Sequence, residues 1–399
     1  MIDLKAARGD PDAWRAALAR KGAAEEFDAL LEADERWRSL IPRVDELRGR
    51  TKLKGKPTPE ELEALRPVKA ALKGAEEELA AAEAARDAVL ALVPNPPHDS
   101  VPDGDTEDDA EELRRVGEPP KLSEPREHTD IGRFDMERAA RVSGARFGYV
   151  IGDAARVAMA LYQFALDHLA QSGFTPVIPP VLVREEAMYG TGFFPTDRSN
   201  IYALEADGLF LTGTSEVALA ALHTGEILDT LPVRYTGFST CFRREAGAAG
   251  KDTRGMFRVH QFNKVEMFVF VEPETSWDEH ERMLDLEERF FQALELPYRV
   301  VNVAAGDLGA SAAKKYDLEA WFPFQERYRE VTSCSNTTDY QSRRLGIRYR
   351  TSHGGLENPH TLNGTMVTDR ALLAILENFQ GRVPEVLTRY GAPAAVNPA

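Results

Sequence analysis

A pair of apolar stripes near the N-terminus restricts this chain more than any other feature. Leu30, Ala33, Trp37, Leu40, Val44 and Leu47 recur in alternating steps of three and four, as do Leu65, Val68, Leu72, Ala75, Leu79 and Ala82. Val89 and Val93 resume the second stripe after Arg86. Such spacing puts the apolar side chains on one helical face, and two faces separated by a short polar segment close on each other as an antiparallel hairpin. Thr58, Pro59 and Glu61 offer the second helix an N-cap, a first-turn proline and a capping-box partner. Helices of about 25 residues rise roughly 35–40 Å at 1.5 Å per residue, so the hairpin projects as an arm. Pro42 and Pro67 fall inside the stripes and predict kinks.

The turn of this hairpin is basic, with Arg48, Arg50, Lys52, Lys54 and Lys56 in nine residues. Taken alone, such a run is a solvated tip. On a projecting arm, in a chain of net charge −16, it is also a candidate phosphate contact. Nucleic acid reads local patches, so the acidic total does not exclude a polyanionic partner.

The length of 399 residues allows two or three domains. No apolar run is long enough to span a bilayer, and the opening MIDLKAARGDPDAW lacks the apolar core of a secretory signal. Two cysteines, Cys241 and Cys334, cannot build a disulfide framework or a four-thiolate metal site. A cytoplasmic protein without membrane attachment or zinc is expected. Residues 1–93 read as an N-terminal domain carrying the arm, and 94–127, rich in proline and acid, as a linker. Residues 128–399 mix helices and alternating strands without a βαβ rhythm, which predicts an α+β domain around an antiparallel sheet with flanking helices.

Within that domain, TGFSTCFRREAGAAGKDTRGMFRVHQFNKVEMFVF (236–270) reads as two antiparallel strands joined by a glycine-containing loop with Gly247, Gly250 and Gly255. Alternation puts Arg243 and Glu245 on one face of the first strand, opposite Phe238, Thr240 and Phe242. It puts His260, Phe262 and Glu266 on one face of the second, opposite Val259, Val265 and Met267. Such a surface can hold a phosphate, an amino group and a flat base, or be a solvated face with cross-strand ion pairs. In LTGTSEVALAALH, Thr214 can cap a helix that has Glu216 in its first turn. In RYREVTSCSN, Glu330 and Ser333 offer oxygen ligands for Mg²⁺, but only a bulge or strand end brings them to one face. In TLNGTMVTDRALLAILENFQG, Thr368 caps a helix whose first turn holds Arg370, a natural anion site or an ordinary surface arginine.

The order of these pieces, and long strings within them, resembles the bacterial seryl-tRNA synthetases over nearly the whole chain, arm included. Arg243-Arg244-Glu245, then GAAGKDTRG and FRVHQFNKVE, resembles class II motif 2 in its seryl version. TLNGTMVTDRALLAILEN resembles motif 3, and residues 153–172 leading into FTPVIPPVLV resemble motif 1, which builds the family's dimer interface. The resemblance implies a class II synthetase fold, a homodimer, ATP with Mg²⁺, L-serine, tRNA(Ser), and tRNA(Sec) as an open case. By position, Arg243 would contact the serine carboxylate and the α-phosphate, Phe262 would stack on adenine, and Glu245 and the Val259 backbone would recognise it. Arg244, Val331 and Thr332 would join the ATP site. Glu330 and Ser333 would bind Mg²⁺ and ATP, and Arg370 the γ-phosphate. Serine would sit among Thr214, Ser215, Glu216, Arg243, Glu266, Asn363 and Thr365. The tip arginines and lysines would meet tRNA.

The chain departs from the family in a shorter, proline-bearing hairpin, a short HTDIGRFD segment at 128–135, and Val-Thr-Asp before Arg370 where small residues are common. A P-loop reading of GAAGKDT fails, because Asp252 follows Lys251 and no glycine stands at the required earlier position. Two alternatives are a serine:carrier-protein ligase, which resembles zinc-dependent relatives without the arm, and a catalytically silent tRNA-binding paralogue.

Overall fold

The computed structural model describes residues 1–52, 58–246, 252 and 255–397. The chain divides into two compact units, Met1–Pro96 and Pro97–Ala399.

In the first unit, α1 spans Ala24–Thr51 and α2 spans Pro59–Leu90. Their seam buries Val44, Leu47 and Ala75, with Val68, Leu72 and Leu79 packed against them. The seam tolerates Arg86 because its guanidinium lies 4.0 Å from the centre of the Trp37 ring. The capping box forms: Thr58 Oγ1 accepts from the Glu61 amide at 3.2 Å, and Glu61 Oε2 from the Thr58 amide at 2.8 Å. Pro42 and Pro67 lie inside helices that run unbroken through them. Both prolines are exposed, and so are Arg38 and Glu63 four residues before them, so water can hydrate the carbonyls left without a donor. At the tip, Arg48 pairs with Glu76 of the facing helix at 2.9 Å and Arg50 with Glu46 at 3.9 Å. Lys54 and Lys56 lie outside the described residues.

The second unit is built on one sheet, which contains eight strands among the described residues. In chain order they are β1 (Glu111–Val116), β2 (Thr175–Val177), β3 (Val233–Phe242), β4 (Gln261–Val271), β5 (Tyr298–Asn302), β6 (Lys314–Phe322), β7 (Arg327–Asn336) and β8 (His360–Thr368). Their order across the sheet is β1-β5-β6-β7-β8-β4-β3-β2, antiparallel throughout except that β2 runs parallel to β3. The stretch read as a linker departs from expectation, since its residues 111–116 form the edge strand β1. The proline- and acid-rich composition around that strand masked it.

One face of the sheet is covered by α3 (Asp153–Gln171), α5 (Ser276–Ala293) and α6 (Asp369–Phe379). Val265, Met267 and Val269 of β4 join Leu161, Met283, Phe290 and Ile375 in this core. Gly364 sits where a Cβ would come within 3.0 Å of Met267, Cys334 and Met283, so the layer closes only over glycine there. Both cysteines are fully buried. The odd residues of β4 therefore face the helices, which leaves Phe262, Lys264 and Glu266 on the opposite face.

Candidate active site

That opposite face carries a cavity of about 650 Å³, a size suited to one nucleotide and a small partner. At one end lie Thr214, Glu216, Lys264, Glu266, Asn363 and Thr365; at the other lie Arg243, Phe262, Glu330, Ser333 and Arg370.

The first end is acidic and buried. The ammonium of Lys264 ion-pairs with Glu266 and donates to Thr214 Oγ1 at 2.6 Å. Thr365 Oγ1 donates to Glu266 Oε2 at 3.3 Å. Glu216 opens the short helix α4 (Glu216–Ala221), and its Oε1 accepts from Gln341 Nε2 at 2.7 Å. Burial, and then the neighbouring charge of Glu266, push the Glu216 carboxyl up to about 7, against the opposing pull of Lys264. With both carboxyls ionised, two negative charges face the one ammonium of Lys264, so this end can accept one further cation.

At the other end, the strand alternation fails to place Arg243 and Glu245. β3 stops at Phe242, so both residues lie in the turn beyond it. Gly213 has no side chain to obstruct Arg243, whose Nε donates to the Gly213 carbonyl at 3.2 Å and whose guanidinium lies 5.3 Å from the centre of the Phe262 ring. Glu245 holds a left-handed backbone, φ 51°, and accepts from Arg258 at 2.7 Å. His260 precedes β4 and locks the base of the hairpin instead, its Nδ1 lying 2.9 Å from the Arg243 carbonyl.

The bulge that Glu330 and Ser333 require is present. The register of β6 with β7 shifts between Leu318 and Glu319, pairing Leu318 with Thr332 and Glu319 with Glu330, so Val331 is the extra residue. Glu330 and Ser333 then share the cavity wall, while Thr332 sends its hydroxyl the other way to Glu287 at 3.0 Å. Arg370 Nη1 donates to the Glu330 carbonyl at 3.0 Å and to its carboxylate at 3.2 Å. Burial would raise the Glu330 carboxyl, but Arg370, Lys315 and Arg243 outweigh it and hold the group well below the usual range. Thr368 caps α6 as expected, its Oγ1 accepting from the Arg370 amide at 3.3 Å. Among the described residues, no three His, Cys, Asp or Glu side chains converge on a metal-sized site.

Glu245, Val259, Val331 and Thr332 also line the cavity. Ser215 and Arg244 do not. The Ser215 hydroxyl donates to the Gly237 carbonyl beneath, and Arg244 lies over the Tyr202 ring at 5.6 Å. Conversely, Lys264, Arg258, Lys315, Asp197 and Asp369 line the cavity without having been singled out. Lys264 was within reach of the same alternation, between Phe262 and Glu266; the others depend on long-range packing.

A largely antiparallel sheet backed by helices, with arginines, an aromatic ring and carboxylates on its open face, has the architecture of a class II aminoacyl-tRNA synthetase. Residues 202–379 match the tRNA synthetase class II core domain (G, H, P, S and T), and residues 1–97 the seryl-tRNA synthetase N-terminal domain. The chain is 48% identical to a serine--tRNA ligase of Mycolicibacterium vanbaalenii and 46% identical to one of Thermobifida fusca, over its full length and 99–100% of theirs. Its structure is similar to that of Pyrococcus horikoshii seryl-tRNA synthetase solved with ATP, with a TM-score of 0.93, 40% identity and complete coverage of both chains. The Naegleria fowleri cytoplasmic enzyme solved with AMP gives 0.88 and 37% over 97% of this chain and 96% of that one. The chain belongs to the seryl-tRNA synthetase family.

Proposed function

We propose that the cavity binds ATP and L-serine together, forms seryl-adenylate, and then passes the seryl group to the 3′ end of tRNA(Ser), with tRNA(Sec) as a further substrate to test. The observation that carries this reading is the joining, in one cavity, of an acidic end short of one cation to an end built of arginines, a ring and oxygen ligands. The serine ammonium sits beside Glu216 and Glu266, and its hydroxyl reaches the same carboxylates, Thr214, Asn363 or Thr365. Alanine would leave those groups unpaired, which disfavours it.

Arg243 steers the serine carboxylate toward the α-phosphorus. A carboxylate oxygen attacks in line, pyrophosphate leaves, and no protein nucleophile is needed. Phe262 stacks on adenine, with Glu245 and the Val259 backbone at its edge, and Arg370 holds the γ-phosphate. Glu330 is kept ionised beside Ser333, so the pair fits Mg²⁺, which takes few protein oxygens and completes its shell with phosphate and water. Mg²⁺ bound there supplies charge neutralisation of the phosphates. Ser215 and Arg244 have no direct contact in this scheme.

A homodimer is supported by apolar exposure on the motif 1 segment, where Met159 is 64% and Ile178 92% exposed. The N-terminal domain, 1–93, with its arm, is the tRNA-binding domain in this reading, and 128–399 the catalytic one. No described helix is long and apolar enough to cross a membrane, in keeping with a cytoplasmic setting.

Serine-dependent pyrophosphate exchange tests the proposal. The wild-type chain should exchange with serine and ATP, and Arg243→Ala should lose about 10²–10³-fold while remaining folded. A wild-type chain without exchange would fit the silent paralogue instead. Exchange without charging of tRNA would fit the carrier-protein ligase.

A further inference from the structure

The Val-Thr-Asp run that departs from the family leaves a carboxylate, Asp369, at a junction of three elements. Asp369 is the first residue of α6, immediately before Arg370. Its Oδ1 takes a hydrogen bond from the phenol of Tyr162 on α3, and its Oδ2 accepts from the backbone amide of Asn263 on β4 at 3.0 Å. Tyr162 is 4% exposed and packs its ring 5.3 Å from that of Phe238 on β3. The Asn263 side chain accepts from Thr240 Oγ1 on β3 at 3.0 Å. No ion pair is formed by Asp369 among the described residues, so its charge is answered by hydrogen bonds alone.

The sheet explains why the Asn263 amide is available. Pairing of β4 with β8 ends at Lys264 opposite Thr368. One residue further out, Asn263 has no β8 carbonyl to meet, and the Asp369 carboxylate supplies the missing acceptor. Without it, a partly buried N–H at the cavity edge would lack its partner, a loss that buried backbone groups rarely tolerate. Burial raises the Asp369 carboxyl, while the Tyr162 and Asn263 donors pull it back down.

Both neighbours of this junction face the cavity. Phe262 precedes Asn263, and Arg370 follows Asp369. We propose that Asp369 is a positioning residue for ATP: by tying the start of α6 to β4 and to α3, it fixes Arg370 relative to Phe262 and couples both to the motif 1 helix. This rests on the roles proposed above for Phe262 and Arg370. The serine end hangs on other contacts, namely Lys264 with Glu266 and Glu216 with Gln341, and none of them passes through Asp369.

Steady-state pyrophosphate exchange, with serine and ATP varied separately, tests it. Asp369→Ala should raise the KM for ATP about ten- to hundredfold, as a displaced contact does, while the KM for serine stays within about twofold. Asp369→Asn keeps the shape and an acceptor and should recover most of the loss. Tyr162→Phe removes only the α3 tie; it should raise the KM for ATP by less than Asp369→Ala and add little in the double variant. An unchanged KM for ATP in folded Asp369→Ala would overturn the proposal. Equal rises for serine and ATP would also overturn it, because they signal general loosening. If Asp369→Ala does not fold, an unchanged KM for ATP in Tyr162→Phe overturns the coupling. Failure of the function itself is distinct: the wild-type chain would then show no exchange.

Discussion

Glu216 sits close to its own titration point, so serine bound as proposed should shift it. Its carboxyl is pushed up to about 7 by burial and by Glu266, so at pH 6 it is mostly neutral and offers the serine ammonium one charge fewer. The KM for serine should rise as pH falls through 7, by up to about tenfold per unit where the neutral form cannot bind. The KM for ATP should not follow. Glu216→Gln should bind serine weakly at every pH and flatten the profile. A serine KM independent of pH between 6 and 8 in the wild-type chain would remove Glu216 from the ammonium site. Glu266→Gln should likewise weaken serine use far more than ATP use. The same scale shows where sequence reading reaches its limit. Thr214, Glu266, Glu330 and Arg370 were each singled out from a distinctive local string, and all four line the cavity. The orientation of Ser215 toward Gly237, and the pairing of Lys264 with Glu266 inside the cavity, depend on which strands become neighbours.

Elements carried by local rules were read directly. The capping box at Thr58 and Glu61 needs only four consecutive residues, and the seam of α1 and α2 only the three-four spacing. The edge strand β1 was missed because its pairing partner β5 lies nearly two hundred residues away and its own residues are mostly charged. The bulge at Val331 is an intermediate case: the chemistry of Glu330 and Ser333 demanded it, although no residue in RYREVTSCSN announces it. At this scale the exposed apolar residues of α3 and of the segment after β2 also make a prediction. Met159→Glu or Ile178→Glu should shift sedimentation from twice the chain mass to a single chain, because a buried unpaired carboxylate at the proposed interface costs several kcal/mol. A variant that sediments like the wild-type chain would place the dimer contact elsewhere, and a wild-type monomer would end the dimer proposal.

For the molecule as a whole, the two units have separate hydrophobic seams, which invites their separation by experiment. Replacing residues 30–90 with a short linker should preserve serine activation and cripple tRNA charging. Charging by the intact chain should fall steeply with added salt, as counterion release requires, while exchange should not. Alanine at Arg48, Arg50, Lys52, Lys54 and Lys56 should flatten that slope; Arg48 and Arg50 have acidic neighbours in Glu76 and Glu46 that compete with phosphate. Unchanged charging by the five-alanine variant would leave the tip a solvated turn. The order of the strands has a further consequence for how the chain comes into being. β8, residues 360–368, lies between β7 and β4, so the middle of the sheet is the last strand a ribosome delivers. The arm can close early in synthesis, whereas the β3–β4 and β6–β7 hairpins must wait side by side with unpaired edges until the final tenth of the chain emerges. A newborn chain stalled before that point would hold Arg243, Phe262, Lys264 and Glu266 on one ribbon and Glu330 and Ser333 on another, unjoined and exposed to aggregation and to protease.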